Sequence, residues 1–157
     1  MSELSHLDPE GRASMVDVGA KDATRREAVA RARVRMSGAT LDLVERTALP
    51  KGDVFAAARI AGILAAKATP SLIPLTHPLA LTFIGVELAV DRALPGIEVV
   101  ATVRCEGKTG VEIEAMTACS VAALTIYDMC KSAEKGIVIE SIALERKAGG
   151  KSGEWSR

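Results

Sequence analysis

Residues 27–36 alternate strictly between two kinds of side chain, and this pattern constrains the fold more than any other feature of the sequence. One set is apolar and the other carries three arginines: Ala28, Ala30, Ala32, Val34 and Met36 against Arg31, Arg33 and Arg35. Successive side chains of a strand point to opposite faces, so a period of two predicts a strand with one apolar face. The alternation outweighs the weak preference of alanine for helices.

The elements predicted after this strand follow a known order. Ser37 can cap a short helix, and Asp53 can cap a second helix that runs to about residue 68 and ends at Pro70. Strands near 80–91 and 97–106 form a hairpin, and a long helix over 115–135, closed by Gly136, precedes a last strand over 137–144. Strand, helix pair, strand, strand, helix, strand is the split βαβ, ferredoxin-like arrangement of an α+β protein. It predicts a four-stranded antiparallel sheet with helices on one face.

The chain length of 157 residues suits one domain. Residues 1–13 are polar and contain Pro9 and Gly11, so we expect a flexible N-terminal arm before a single domain over residues 14–157. The N-terminus lacks an apolar signal core, and no uninterrupted apolar run approaches the roughly 20 residues that a bilayer requires. We therefore expect a cytoplasmic protein with no membrane partner. The three widely spaced cysteines, Cys105, Cys119 and Cys130, are expected to be free thiols, and Cys119 and Cys130 are expected to be core residues of the long helix.

Charge and aromatic content bear on nucleic-acid binding. Lysine plus arginine equals aspartate plus glutamate at 20 each, so net charge gives no argument for a nucleic-acid partner. Aromatic residues make up 3% of the chain, so few side chains are available on which bases could stack. We expect no nucleic-acid partner, and any anion site must come from local clustering of cations.

His77 lies in a stretch with three prolines, residues 69–79, which predicts a rigid and extended surface loop. A stiff loop suits a general acid or base near neutral pH. A loop histidine that only hydrogen-bonds a neighbour fits the local sequence equally well.

Glu112 and Glu114 lie two residues apart, just before the predicted long helix. In an extended segment both carboxylates would face the same way and could divide acid and base roles. Acids that complement the dipole at a helix N-terminus are the simpler explanation on local grounds.

Asp128 and Lys131 share one face of the otherwise apolar long helix. Partial burial could depress the pKa of the lysine and make it a proton-transfer group. A solvated pair worth about 0.3–0.5 kcal/mol is the equally weighted alternative.

Several cations stand at the ends of elements or in glycine-rich turns, where phosphate contact is favoured. They are Arg26, Lys51, Lys67, Lys147 and Lys151. For any one of them alone, scattered solubilising charge is the better explanation.

Seven short strings occur in order between about residue 6 and the end of the chain. They are Met15-Val-Asp17-Val, Lys51-Gly-Asp-Val-Phe-Ala, Ala57-Ala-Arg59-Ile-Ala-Gly-Ile, Ile73-Pro-Leu-Thr-His77-Pro-Leu, Lys108-Thr-Gly-Val-Glu112-Ile-Glu114-Ala, Leu124-Thr-Ile-Tyr-Asp128-Met-Cys-Lys131 and Gly149-Gly-Lys151-Ser-Gly. No single string is decisive, but together they closely resemble the MoaC family, the cyclic pyranopterin monophosphate synthases.

The resemblance implies a ferredoxin-like lyase of molybdenum cofactor biosynthesis, with residues 14–157 as one catalytic domain. The implied substrate is 3′,8-cyclo-7,8-dihydroguanosine 5′-triphosphate, and the implied products are cyclic pyranopterin monophosphate and pyrophosphate. A homohexamer built as a trimer of dimers, with each active site at a dimer interface, is also implied. No cofactor or protein-held metal is implied, and Mg²⁺ as a companion of the triphosphate is left open.

The resemblance also implies the site residues. Asp128 with Lys131 is the candidate acid/base pair, and Lys51 is a second proton-transfer group. The implied substrate-binding residues are Arg26, Lys67, Leu75, Thr76, His77, Glu112, Ile113, Glu114, Lys147 and Lys151. Two of these depart from the family pattern, because Thr76 replaces a common cysteine and Ile113 a common methionine.

Two other functions are alternatives to the lyase. A metal-independent phosphohydrolase acting directly on GTP would need the same cations. A ferredoxin-like scaffold that binds a protein or RNA would need no catalytic residues, but paired ionisable groups on apolar elements argue against it.

Overall fold

The computed structural model of the chain describes residues 6–157 and contains three helices and a five-stranded sheet. In chain order the elements are β1 (Thr24–Arg35), α1 (Gly38–Glu45), α2 (Val54–Leu72), β2 (Leu81–Asp91), β3 (Gly96–Gly107), α3 (Glu112–Cys130), β4 (Val138–Ala148) and β5 (Trp155–Ser156). The sheet order is β2-β3-β1-β4-β5, with every neighbouring pair antiparallel.

The helices cover one face of this sheet. α3 packs on β1, β3 and β4, while α2 packs on α3 and β2. This arrangement confirms the expected α+β, ferredoxin-like fold class. The extra strand β5 was not expected, because a two-residue strand is too short to carry an alternating pattern.

The alternation in β1 has the predicted effect on burial. Ala28, Ala30, Ala32 and Val34 are fully buried under the helices. On the opposite, open face Arg33 donates to Asp91 at 2.8 Å and to Glu140 at 3.0 Å. Exposed ion pairs of this kind stabilise little, so the apolar face decides the register of the strand.

Both predicted helix caps are present, but the end of α2 differs from the prediction. Ser37 Oγ accepts a hydrogen bond from the Thr40 amide, and Asp53 Oδ1 accepts one from the Ala56 amide. The helix continues through Pro70 to Leu72. A proline removes a single amide donor, and in the last turn few bonds depend on it, so the helix ends two residues later than expected.

The bounds of α3 are also shifted from the predicted 115–135. It begins at Glu112 and ends at Cys130, so Gly136 is not its cap. After Cys130 the chain turns, and the Glu134 carboxylate accepts hydrogen bonds from the amide and hydroxyl of Ser37 at 2.9 Å each. This contact, from a residue far away in sequence, accompanies the early end of the helix.

By length and composition α3 is apolar enough to cross a membrane, and it is the one such helix among residues 6–157. It is also the helix at the centre of the core, with Ala115, Ala118, Ala122 and Ile126 fully buried. Core packing therefore accounts for its apolar composition.

The predicted flexible arm falls partly on residues 1–5, which lie outside the described residues. Residues 6–13 form a tight turn in which Asp8 Oδ1 accepts hydrogen bonds from the amides of Glu10 and Arg12. The division into an arm and one domain over 14–157 stays a prediction.

Candidate active site

A first pocket, with a volume of about 610 Å³, lies between the N-terminal segment, the loop after α2 and the start of α3. We call it the histidine pocket. Its lining includes six of the expected substrate-binding residues, namely Leu75, Thr76, His77, Glu112, Ile113 and Glu114. Lys51, just before α2, contacts Asp128 near the end of α3, so the two helices run antiparallel and the loop after α2 lies beside the first turn of α3.

His77 is held in this pocket by one hydrogen bond from its ring. Nε2 lies 2.7 Å from the main-chain oxygen of Val16, which can only accept. The neutral ring therefore carries its proton on Nε2 and has its lone pair on Nδ1. Pro78 restricts the backbone of His77, so the ring is constrained both by its backbone and by the hydrogen bond of Nε2.

Glu112 and Glu114 have different environments. Both belong to the first turn of α3, which confirms the simpler explanation of acids at a helix N-terminus, and the alternative of an extended segment is not found. Glu112 pairs with Lys147 at 2.9 Å. Glu114 is only 3% exposed, and its burial, followed by the nearby charge of Glu112, raises its pKa. Two carboxyl groups in unlike surroundings can divide donor and acceptor roles.

A second pocket, also of about 610 Å³, adjoins the histidine pocket and is rich in cations. We call it the cationic pocket. Five cationic side chains line it, against the carboxylates of Asp22 and Glu112: Lys21, Arg26, Lys108, Lys147 and Lys151. The two pockets share Lys21, Thr109, Gly110 and Glu112, so they form one continuous cleft. Such an excess of positive charge suits a polyanionic ligand.

Arg26 organises the wall of the cationic pocket. Its guanidinium donates to the main-chain oxygens of Gly107, Lys108 and Gly149 at 3.3–3.4 Å. A guanidinium has five N–H donors, so two remain for a ligand. Gly150, with φ +74°, passes so close that an added Cβ would lie 1.9 Å from Arg26 Nη1. A side chain at this position would displace the guanidinium and would require a backbone conformation that residues other than glycine rarely adopt.

Thr24 contributes a free hydroxyl to the same pocket. Among residues 6–157, its Oγ1 is the buried side-chain oxygen without a hydrogen-bond partner. Native proteins satisfy most such atoms, so this one marks a position where a ligand or water oxygen is expected.

Lys21 and Lys108 were not expected as site residues from the sequence. Lys21 lines both pockets, and Lys108 lines the cationic pocket, where its Nζ donates to the main-chain oxygen of Gly19. A usable signal existed for Lys108, which opens the string that contains both glutamates. Lys21 lies in an irregular segment, and no local pattern marks it.

The three expected proton-transfer residues form a separate, exposed cluster, which we call the lysine–aspartate cluster. Asp128 contacts Lys51 Nζ at 2.6 Å and Lys131 Nζ at 2.7 Å. Hydrogen bonds from Lys131 and then Lys51 lower the pKa of Asp128 to about 2. The Asp128 carboxylate, which accepts this bond, raises the pKa of Lys131, so in the single chain the pair matches the solvated alternative and not the one with a depressed lysine pKa.

This cluster is far from both pockets. Glu114 and Asp128 lie near opposite ends of α3, and a rise of 1.5 Å per residue separates them by about 21 Å. Lys67 is exposed on α2 and lines neither pocket. One chain thus brings Arg26, Lys147 and Lys151 next to the histidine pocket but leaves the cluster and Lys67 outside.

Cys119 and Cys130 lie in the core, as expected, and Cys105 is buried there as well. Cys105, Cys119 and Cys130 are buried and free. Burial raises the pKa of Cys119 to about 12 and that of Cys130 to about 11, which disfavours a nucleophilic thiolate. Within residues 6–157, no group of three or more His, Cys, Asp or Glu side chains is arranged to hold a metal ion.

Comparison with known proteins agrees with the motifs and the fold. The MoaC family model matches residues 15–150. A cyclic pyranopterin monophosphate synthase of Roseiflexus sp. (strain RS-1) is 59% identical over 155 residues, which cover 99% of this chain and 98% of the relative. Those of Bordetella petrii (59%, covering 97% and 94%) and Chloroflexus aggregans (57%, covering 100% and 95%) are similar along nearly their whole lengths. The chain belongs to the MoaC family.

Proposed function

We propose that this protein is a lyase that converts 3′,8-cyclo-7,8-dihydroguanosine 5′-triphosphate into cyclic pyranopterin monophosphate and pyrophosphate. This is the second step of molybdenum cofactor biosynthesis. The observation that carries the proposal, beside family membership, is the continuous cleft. Its cationic half suits a triphosphate, and its histidine half offers groups for a guanine-derived ring.

The triphosphate is assigned to the cationic pocket. In the reaction a hydroxyl of the ribose-derived part attacks the inner phosphorus, and the bond from that phosphorus to the bridging oxygen of pyrophosphate breaks. Negative charge develops on the phosphate oxygens, and fixed cations stabilise it in a partly closed site. Lys147 and Lys151 are suited to this role, and Arg26 supports it by bonding the main chain at Gly149, between these two lysines, and at Lys108.

The ring system is assigned to the histidine pocket. Its rearrangement requires several proton transfers. Nδ1 of His77 offers a lone pair, and Glu114, whose pKa burial raises, is suited to hold and donate a proton. Leu75, Thr76 and Ile113 supply the remaining contacts.

The lysine–aspartate cluster is assigned to the same active site, through a second copy of the chain. A separation of about 21 Å along α3 prevents one chain from placing Glu114 and Asp128 on one small substrate. Exposed apolar side chains on the helix layer, Ile60, Leu64 and Leu124, provide a surface that a neighbouring chain can cover. We propose a homohexamer built as a trimer of dimers, with each active site at a dimer interface. Free cysteines support a reducing, cytoplasmic location.

A turnover assay tests the reaction. Purified protein is incubated with the cyclised triphosphate, and pyrophosphate and oxidisable pterin are followed together. Equal amounts of both products are expected, and GTP offered in place of the intermediate should stay intact. Hydrolysis of GTP would support the phosphohydrolase, and a folded protein that forms neither product would contradict the proposal.

A mixing experiment tests the shared site. The variants Glu114→Gln and Lys131→Met are each expected to be nearly inactive. After the two are unfolded and refolded together, about a quarter of wild-type activity should return, because half of randomly formed dimers are mixed and each holds one intact site. Activity that stays at the level of the separate variants would show that the sites are not shared.

A further inference from the structure

Residues 14–21, here called the strap, lie across both halves of the cleft. Val16 and Val18 line the histidine pocket, Ala20 lines the cationic pocket, and Lys21 lines both. The strap contains no helix or ladder strand, and its side chains alternate, with Val16 and Val18 turned inward and Met15 and Asp17 exposed. It therefore covers the cleft without belonging to the sheet.

Two side chains of the site fasten the strap through its main chain. Lys108 Nζ donates to the Gly19 oxygen at 2.5 Å, and His77 Nε2 donates to the Val16 oxygen at 2.7 Å. Asp17 Oδ1 accepts from the Gly19 amide at 2.7 Å, and the Lys21 amide donates to Val18 at 3.1 Å. These local bonds shape the turn that aims the Gly19 carbonyl at Lys108.

We propose that the strap is a cover whose closure is coupled to a polyphosphate in the cationic pocket, and that Lys108 is the positioning residue that couples them. The identity of the polyphosphate as the substrate's triphosphate rests on the proposed function. An ammonium group has three N–H donors. One bonds Gly19, and the other two can meet phosphate oxygens in charge-assisted bonds. A bound polyphosphate thus fixes the ammonium group of Lys108, which in turn holds the strap through the Gly19 oxygen.

Closure reaches the other pocket through Val16. Its carbonyl keeps the proton of His77 on Nε2 and the lone pair on Nδ1. Filling the cationic pocket therefore fixes the orientation of a residue in the histidine pocket. It also helps to exclude water from the cleft during the reaction.

Hydrogen exchange of the unliganded protein, measured by mass spectrometry, tests whether Lys108 holds the strap in place. The matched variants are Lys108→Met and Lys147→Met, which each remove one cation from the same pocket, although Lys147 contacts Glu112 and not the strap. The Gly19 and Lys21 amides are expected to exchange about five- to tenfold faster in Lys108→Met than in Lys147→Met, since one hydrogen bond is lost. Equal rates in the two variants would overturn the proposal.

Inorganic triphosphate then tests the coupling. At saturation, shown by slowed exchange of residues 149–152, the strap amides should slow in the wild type and in Lys147→Met. They should not slow in Lys108→Met, and Lys108→Arg, which keeps the charge and the donors, should restore the effect. Equal slowing of the strap amides in Lys108→Met and in the wild type, or no slowing in the wild type, would overturn the proposed coupling. If Lys108→Met binds no triphosphate, the unliganded comparison still decides.

Steady-state kinetics connect the strap to the reaction. With the cyclised triphosphate, Lys108→Met should lower kcat as well as raise KM, whereas a lost phosphate contact alone would mainly raise KM. An effect on KM alone would count against closure. The exchange experiments require no turnover. A wild-type protein without activity would therefore refute the proposed reaction, whereas the exchange results would still test whether the strap is a cover.

Discussion

The two ends of α3 carry groups of site residues that differ in their exposure to solvent. At its N-terminal end, Glu114 is buried, and the surrounding loops are held by Arg26, by His77 and by the positive-φ glycines Gly149 and Gly150. At its C-terminal end, Asp128 is about half exposed and is shared by two lysines. The first group is preorganised by its own chain, whereas the second is an ordinary solvated ion cluster until something covers it.

A single chain therefore lines a pocket around Glu114 but leaves the groups around Asp128 exposed to solvent. Desolvation is what makes a lysine a useful proton carrier near neutral pH, and an exposed lysine paired with a carboxylate keeps its proton. The comparison therefore predicts that the cleft binds ligand without help, while proton transfer by the cluster needs an adjacent chain.

Replacing Lys131 should have the largest effect. Lys131→Met is expected to lower kcat by about 10²–10⁴-fold, the usual contribution of a general acid or base. The melting temperature should stay unchanged, because the side chain is half exposed. Stopped-flow or discontinuous product assays measure kcat. Lys135→Met, an exposed lysine on the same connection, serves as the control, and wild-type turnover in Lys131→Met would remove the cluster from the mechanism.

Glu114→Gln should lower kcat by about 10²-fold and change the pH dependence of stability. Burial raises the pKa of Glu114 above 4.5, so the folded state binds this proton more tightly than the unfolded state. The associated stability is fully present below about pH 4.5 and is lost as the pH rises through the folded pKa. Urea unfolding between about pH 4 and 8 should show this loss in the wild type but not in the variant.

A matched control for this prediction is Glu106→Gln, because Glu106 is exposed on β3. It should leave the pH dependence as in the wild type. A decline of the same size in the wild type and in Glu114→Gln would show that another group is responsible.

Gly150→Ala tests the rigid wall of the cleft. The positive φ of +74° and the overlap with Arg26 should together cost about 1–3 kcal/mol of local strain and raise KM for the triphosphate about tenfold. Gly153→Ala is the control, because Gly153 has a similar φ of +66° and open space around its Cβ position. If both variants raise KM equally, backbone strain explains the effect and contact with Arg26 does not.

Thr24→Val should have the smallest effect. It removes the unpartnered hydroxyl and keeps the shape, so protein stability should not fall. Loss of one ligand hydrogen bond of about 0.5–1.5 kcal/mol predicts a two- to tenfold higher Kd for inorganic triphosphate, measured by calorimetry. Thr102→Val on the open sheet face is the control, and unchanged affinity in Thr24→Val would mean that the ligand does not reach this hydroxyl.

Local patterns predicted much of the fold and only part of the cleft. The alternation in β1 and the caps Ser37 and Asp53 depend on residues within four positions of one another, so one sequence displays them completely. The early start of α3, which separates the faces of Glu112 and Glu114, was missed because residues 108–114 carry no clear cap. Family motifs supplied the residue list but no distances.

By itself, the sequence determined four of the five strands, the N-terminal caps of α1 and α2, the burial of Cys119 and Cys130, and family membership, because each follows from a local period or a string of adjacent residues. Only the tertiary structure decided which cationic side chains line the same pocket. Arg26 contacts main-chain oxygens 81 to 123 positions away, and Lys108 joins Gly19 across 89 positions. Such contacts depend on sheet order and loop closure, which no local pattern encodes. For the same reason the geometry alone separated the lysine–aspartate cluster from the cleft that it is proposed to serve.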